Sequence, residues 1–155
     1  MSEIIHVSKK QKVEFTFCKR NHIWVYIKLT MLDKMGNVLY SEDEEEYKKI
    51  FMFDTGAQNT ILARNRVDDF GYNNCKVIGR TKAVGVGSGG MQCSKIEIPD
   101  ISITDDIIIH KPAVLVPDDY DLNINILGQD ILKLFNYYMD NNSQNIYFDK
   151  EKFEV

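Results

Sequence analysis

The residues of this sequence best suited to chemistry are Asp54, Thr55 and Gly56, which directly follow the apolar residues 50–53. An apolar run of this kind predicts a buried strand, here over residues 47–53, that ends in a carboxylate. Aspartate is unfavourable in strands and is seldom buried without a partner, so the fold can tune the pKa of such a group. Asp-Thr-Gly is also an ordinary turn sequence, and the rest of the chain must decide between these interpretations.

Length and composition predict a single globular domain over residues 1–155, with a polar lead-in at 1–11 and a hairpin and acidic loop at 33–49. The chain has 155 residues, of which 44% are hydrophobic and 27% charged, and a net charge of −4. A negative net charge of this size does not favour binding to nucleic acid or to an anionic membrane. No apolar run has the length of a membrane span. Because the N-terminus lacks a signal-peptide pattern, we expect a cytoplasmic protein.

The cysteines and histidines suggest neither a disulfide framework nor a metal site. The three cysteines are odd in number and far apart, and the three histidines show no zinc-type spacing with them or with one another. We therefore expect no metal and no other cofactor.

Alternation of apolar and polar residues predicts the strands that surround Asp54. In the clearest case, one face of a strand carries Ile23, Val25, Ile27, Leu29 and Met31. Trp24 and Tyr26 lie on its other face, and we expect both faces to be covered. A turn is predicted at 33–37, with a returning strand at 38–40. Further strands are predicted at 13–17, 75–86, 91–98, 101–109, 112–116, 124–127, 137–139 and 146–148, and helices at 63–70 and 129–136. About ten short strands with one or two helices indicate an all-β domain, closed or nearly closed into a barrel.

Residues 85–90 form a joint with four glycines in six positions, which is typical of a mobile hairpin. The joint does not fit a phosphate-binding loop, because it lacks the Gly-Lys-Ser/Thr ending and leads into an extended segment.

Three elements thus stand in a definite order: a strand ending in Asp-Thr-Gly-Ala, a glycine-rich hairpin, and the segment Ile126-Leu127-Gly128 that opens a helix. This order resembles the retropepsin-like aspartic proteases, the family of retroviral proteases and their cellular relatives, over residues 12–149. The resemblance implies a closed β-barrel with a glycine-rich flap and one short C-terminal helix, acting as a homodimer on an extended peptide or protein substrate.

The resemblance also implies roles for individual residues. Asp54 is the expected catalytic aspartate, and Thr55 and Gly56 complete its loop. The residues expected at the substrate and in the flap are Ala57, Asn59, Val84, Gly85, Val86, Gly87 and Met91. Those expected to support the active-site loop are Ile126, Leu127, Gly128 and Gln129.

The sequence departs from the retroviral pattern at Asn59 and Gln129. Retroviral members usually carry an acidic residue and an arginine there, which form an ion pair. Both residues are neutral amides in this chain, and we expect an Asn–Gln hydrogen bond in place of the charge-assisted one.

The chain contains a single Asp-Thr-Gly, so a catalytic pair of carboxylates requires Asp54 from each of two subunits. Two carboxylates roughly 3 Å apart share one proton, which allows one to activate water while the other polarises the scissile carbonyl. The sequence therefore predicts an aspartic endopeptidase. Two alternatives stay open: a dimerising or peptide-binding module of the same fold with little catalysis, and a monomeric β-barrel ligand binder.

Overall fold

The computed structural model describes residues 3–6, 10–17, 22–40, 48–83, 90–104 and 107–149. Within these residues the chain forms twelve strands, two short α-helices and a 3-10 turn at Tyr72–Asn74. The strands are β1 (Glu3–His6), β2 (Lys10–Phe17), β3 (Ile23–Leu29), β4 (Lys48–Phe53), β5 (Val77–Ala83), β6 (Met91–Glu97), β7 (Asp100–Thr104), β8 (Ile107–His110), β9 (Ala113–Pro117), β10 (Ile126–Leu127), β11 (Asn136–Asp140) and β12 (Asn145–Asp149). The helices are α1 (Arg64–Asp69) and α2 (Gln129–Leu132). The prediction was an all-β domain with one or two short helices, and the structure confirms its coarser form, a mostly-β chain.

The strands form two sheets. The larger runs in the order β1-β8-β7-β3-β2-β12-β11, and β4 joins it between β3 and β10. The smaller has the order β5-β6-β9. Ile61 links the two sheets through single bridges to Leu115 of β9 and Ile126 of β10. Among the described strands, β1 and β11 stand at opposite ends of the larger sheet without pairing to each other, so a closed barrel is not confirmed.

The main core lies on the inner face of the larger sheet. Val25, Ile27 and Leu29 of β3 are each at most 2% exposed, which confirms the predicted face, because side chains alternate between the two faces of a strand. On the opposite face Tyr26 is 59% exposed. The expectation that both faces of β3 are covered was therefore wrong for Tyr26.

A second, smaller apolar cluster connects the segment after β4 with the smaller sheet. Its buried members are Ala57, Ile61, Ala83, Cys93, Leu115 and Ile126, with Met52, Met91 and Leu122 packed against them. We call this the linking cluster. It holds the Asp-Thr-Gly loop against the base of the β5–β6 hairpin.

Several boundaries differ from the prediction. The 1–11 lead-in contains β1, which pairs with β8, and the start of β2. The single strand predicted at 101–109 is instead the antiparallel pair β7 and β8. The turn at 33–37 is confirmed, because the Asp33 carboxylate accepts the N–H groups of Met35 and Asn37. The following segment 38–40 makes only a bridge from Val38 to Leu32.

The predicted helix over 129–136 is shorter in the structure. Leu134 and Phe135 donate their N–H groups to carbonyls three residues back, which tightens the chain after α2. The chain then enters β11 directly. The predicted C-terminal hairpin is confirmed as β11 and β12. The acidic run 41–46 lies outside the described residues, and no helix within those residues is long and apolar enough to cross a membrane.

Candidate active site

Asp54 stands at the end of β4, where two neighbouring strands fix its backbone. Strand β4 lies between two partners: β3 pairs with it in antiparallel fashion, and β10 pairs with it in parallel fashion. The Asp54 N–H donates to the Leu127 carbonyl at 3.1 Å. Because the apolar side chains of β4 bury it between these strands, the sheet carries Asp54 to one fixed place at its edge.

The Asp54 carboxylate is partly exposed and is oriented by its own loop. Its Oδ1 accepts the Gly56 N–H at 2.9 Å, and the Asp54 carbonyl accepts the Ala57 N–H at 3.3 Å. Thr55 and Gly56 are exposed. The loop therefore presents one constrained carboxylate, flanked by a hydroxyl side chain, at an accessible surface.

A polar network ties the far end of this loop to α2. The Thr60 side chain is completely buried. Its Oγ1 donates to Asp130 Oδ1 at 2.7 Å, and its N–H lies 3.0 Å from both carboxylate oxygens. The same Oγ1 accepts the Gly128 N–H at 3.1 Å. The Thr60 N–H and hydroxyl therefore both have hydrogen-bond partners in or next to α2, as buried polar groups require.

Gly128 allows the close approach that this network needs. A Cβ placed on Gly128 would lie 2.4 Å from the Asn59 carbonyl oxygen and 3.0 Å from that of Ala57. A side chain would therefore separate α2 from the loop. The next residue, Gln129, donates its N–H to the Ala57 carbonyl at 2.8 Å.

The expected hydrogen bond between Asn59 and Gln129 was wrong. The Gln129 Nε2 donates instead to the Thr55 carbonyl at 2.9 Å. A carboxylate does take part in the loop–helix contact, but it belongs to Asp130 and its partner is Thr60. Each of these residues is one position beyond the predicted one.

The base of the predicted flap lies beside the loop. Ala83 of β5 and Met91 of β6 are register partners, and both contribute to the linking cluster together with Ala57. Gly90 adopts a φ of 79° immediately before β6. The predicted flap residues Val84, Gly85, Val86 and Gly87 lie outside the described residues.

An ion pair fixes the β5–β6 hairpin to the loop after β9. The Arg80 guanidinium contacts both oxygens of Asp118, at 2.7 and 2.5 Å, and Arg64 contacts Asp118 at 3.4 Å. The hydrogen bond from Arg80, with the charges of Arg80 and Arg64, lowers the pKa of Asp118. Among the described residues, no group of three or more histidine, cysteine or acidic side chains could hold a metal ion.

A model of the family described as gag-polyprotein putative aspartyl protease matches residues 45–134. The chain belongs to this family. The matched region begins before β4 and ends after α2, so it contains Asp54, the β5–β6 hairpin and the Thr60–Asp130 network. The predicted retropepsin-like membership is confirmed.

The fold agrees with this membership. The solved structure of a retropepsin-like aspartic protease from Rickettsia conorii is similar to this chain, with a TM-score of 0.58 and 16% sequence identity. The match covers 96% of this chain and 93% of that chain. No curated protein matches the sequence.

The sequence analysis of this aspartyl protease family member missed four residues that organise the site, in two pairs. Thr60 and Asp130 had a detectable signal, because a hydroxyl residue closes the Asp-Thr-Gly loop and an acidic residue opens α2. The pairing of Arg80 with Asp118 had no signal, because an exposed arginine and an exposed aspartate that are 38 residues apart belong to no motif.

Proposed function

We propose that the protein is an aspartic endopeptidase in which Asp54 from each of two identical subunits forms the catalytic pair. The observation that carries this proposal is the placement of a single Asp-Thr-Gly at the end of β4, in a loop fixed by β10 and α2. Membership of an aspartyl protease family supports the same chemistry. One chain supplies one such carboxylate, so a two-fold dimer completes the site.

In this mechanism the two Asp54 carboxylates share one proton. Two carboxylates about 3 Å apart cannot both ionise easily. The ionised one removes a proton from a water molecule held between the pair, while the protonated one donates a hydrogen bond to the scissile carbonyl. After the water attacks, the pair returns a proton to the leaving nitrogen.

The neighbouring residues orient this pair. The Gly56 N–H, 2.9 Å from Asp54 Oδ1, fixes one carboxylate oxygen and leaves the other available for water. Thr55 is exposed beside Asp54, and we assign its hydroxyl to a hydrogen bond across the dimer axis. Ile126, Leu127, Gly128 and Gln129 support the loop from behind, as their hydrogen bonds to it indicate.

The substrate in this proposal is an extended polypeptide between the Asp54 pair and the flap. Val84, Gly85, Val86, Gly87 and Met91 supply the flap. Ala57 and Asn59 supply the floor. Strand-like hydrogen bonds to the peptide backbone would provide affinity, and closure of the flap would exclude water from the reacting bond.

Cleavage of a diverse peptide mixture by wild type and Asp54→Asn, read by mass spectrometry at mildly acidic pH, tests the proposal. Both proteins are assayed at two concentrations that bracket dimerisation. We expect cleavage by wild type alone, rising more steeply than linearly with protein concentration. A folded, dimeric wild type that cleaves nothing would instead indicate the peptide-binding module.

A further inference from the structure

His22 lies next to Asp54 on the neighbouring strand. Strands β3 and β4 are antiparallel, and their last register pair before the active-site loop is Ile23 with Phe53. The next positions along the two strands are His22 and Asp54. Directly opposed residues share a face of the sheet, with Cβ atoms about 5 Å apart. His22 therefore flanks the candidate catalytic carboxylate on the side of β3, whereas Gly128 flanks it on the side of β10.

The His22 side chain is available to a bound molecule. It is exposed, and no hydrogen bond or ion pair within the described residues involves it. An imidazole carries one N–H donor when it is neutral and two when it is charged. A polypeptide bound at Asp54 therefore meets an unused donor about one side-chain length away.

Trp24 adds a second donor on the same face of β3. It is two residues from His22, so the two side chains leave the same side of the strand about 7 Å apart. The Trp24 side chain is half-buried, and its Nε1 is a buried donor without an acceptor in the described part of the chain. A buried donor without an acceptor lowers stability, and an acceptor that binds beside it restores the hydrogen bond. We call His22 and Trp24 the donor pair.

We propose that the donor pair is a subsite that selects a glutamine or asparagine side chain of the substrate close to the cleaved bond. The carboxamide oxygen accepts the N–H groups of His22 and Trp24. A carboxamide brings no second negative charge beside the Asp54 pair, whereas a carboxylate would be repelled by it. This proposal rests on the proposed function, because it names the substrate that the same site prefers.

Two-fold symmetry would place this subsite on both sides of the cleaved bond. An extended peptide advances about 3.3 Å per residue, so a substrate side chain that meets His22 lies within about three residues of the bond held at Asp54. The axis of the proposed dimer passes between the two copies of Asp54, and each His22 flanks its own copy. The preference should therefore fall at two substrate positions that are equally far from the cleaved bond.

Matched peptides test this subsite. The probe is an eight-residue peptide that wild type cleaves, in which each of the three positions on either side of the cleaved bond is set in turn to glutamine or methionine. These two side chains have similar length, and only glutamine has the acceptor. We expect kcat/KM to be higher for glutamine on the order of ten-fold, at one position on each side.

Substitutions in the donor pair separate its N–H groups from its shape. His22→Phe keeps a flat ring without the donor and should bring the glutamine-to-methionine ratio close to one, whereas His22→Gln supplies an N–H again and should recover part of the ratio. Trp24→Phe should lower the ratio by less. His110→Phe is the control: it changes a histidine on β8 that is 2.8 Å from Asp100, and it should keep the full ratio.

Three results would overturn the proposal. The first is a ratio close to one at every position with wild type. The second is a ratio that survives in His22→Phe while both peptides are cleaved more slowly, which would assign His22 to the Asp54 pair itself. The third is a His22→Phe protein that no longer dimerises in sedimentation, which would assign His22 to the contact between subunits.

Binding to Asp54→Asn gives a result that does not depend on cleavage. A random pool of eight-residue peptides is passed over the immobilised variant, and the bound peptides are read by mass spectrometry. We expect glutamine to be enriched over methionine, and His22→Phe in the same background to remove the enrichment. If wild type cleaves no peptide but this enrichment is found, the endopeptidase proposal fails and the subsite stands. If wild type cleaves peptides with equal kcat/KM for glutamine and methionine, the endopeptidase proposal stands and the subsite fails.

Discussion

Two polar contacts join distant segments of this molecule, and they differ mainly in their surroundings. Thr60 is completely buried and donates twice to Asp130 from the end of the active-site loop. Arg80 donates twice to Asp118 on the surface, where the two side chains are 53% and 46% exposed. We call these the inner and the outer contact.

The difference shows which contact the fold depends on. When a buried donor loses its acceptor, water cannot reach it to accept the hydrogen bond instead. The whole desolvation penalty of the donor then appears as lost stability. Exposed ions regain water when separated, and salt screens their attraction. The inner contact therefore sets the position of the Asp54 loop, whereas the outer contact adjusts the base of the β5–β6 hairpin.

The largest expected effect comes from Gly128→Ala. Its Cβ would lie 2.4 Å from the Asn59 carbonyl oxygen, so α2 must move away from the loop and break the inner contact. We expect about 3 kcal/mol of lost unfolding free energy, from overpacking and unpaired donors together. Urea unfolding measures this loss, and kcat should fall as the loop shifts.

Gly79→Ala is the control for Gly128→Ala. No atom lies within 4 Å of its added Cβ, and its unfolding free energy should stay within about 1 kcal/mol of wild type. Equal effects from the two variants would contradict this assignment.

Asp130→Ala breaks the inner contact without adding a clash. It leaves the Thr60 hydroxyl and N–H without their acceptor, and we expect a loss of about 2 kcal/mol in urea unfolding. Asp130→Asn keeps one carbonyl oxygen and should recover part of this loss. A loss in Asp130→Ala no greater than that in Asp130→Asn would show that the carboxylate is not what holds the loop.

The smallest effect is expected from Asp118→Asn at the outer contact, and it should depend on pH. Arg80 and Arg64 lower the pKa of Asp118 in the folded state, so the contact stabilises the protein above the unfolded pKa of about 3.9. This contribution disappears as the pH falls through the lower folded value. The difference in unfolding free energy between wild type and Asp118→Asn should therefore be present at neutral pH, shrink in high salt and vanish in strong acid. A difference that grows on acidification would contradict this account.

The sequence was most informative where local pattern decides structure. The apolar run before Asp54 and the alternation in β3 predicted both strands, because burial on a pleated strand imposes those patterns. The sequence was least informative where the alignment of two distant segments decides which side chains meet. Asn59 and Gln129, the expected partners, are each one residue before the true partners Thr60 and Asp130. Only the depth at which α2 packs against the loop decides which of these two pairs is in contact. The exposure of Tyr26 was also missed, since an aromatic side chain in a strand does not reveal whether a second layer covers it.

The most direct test of the central claim is to mix wild type with Asp54→Asn at constant total concentration, well above the dimer dissociation constant, and to measure the initial cleavage rate. If one site needs Asp54 from both subunits, the rate should follow the square of the wild-type fraction, so an equal mixture gives about one quarter of the wild-type rate. A rate of one half, linear in the wild-type fraction, would show that each chain acts alone and would contradict the dimeric pair.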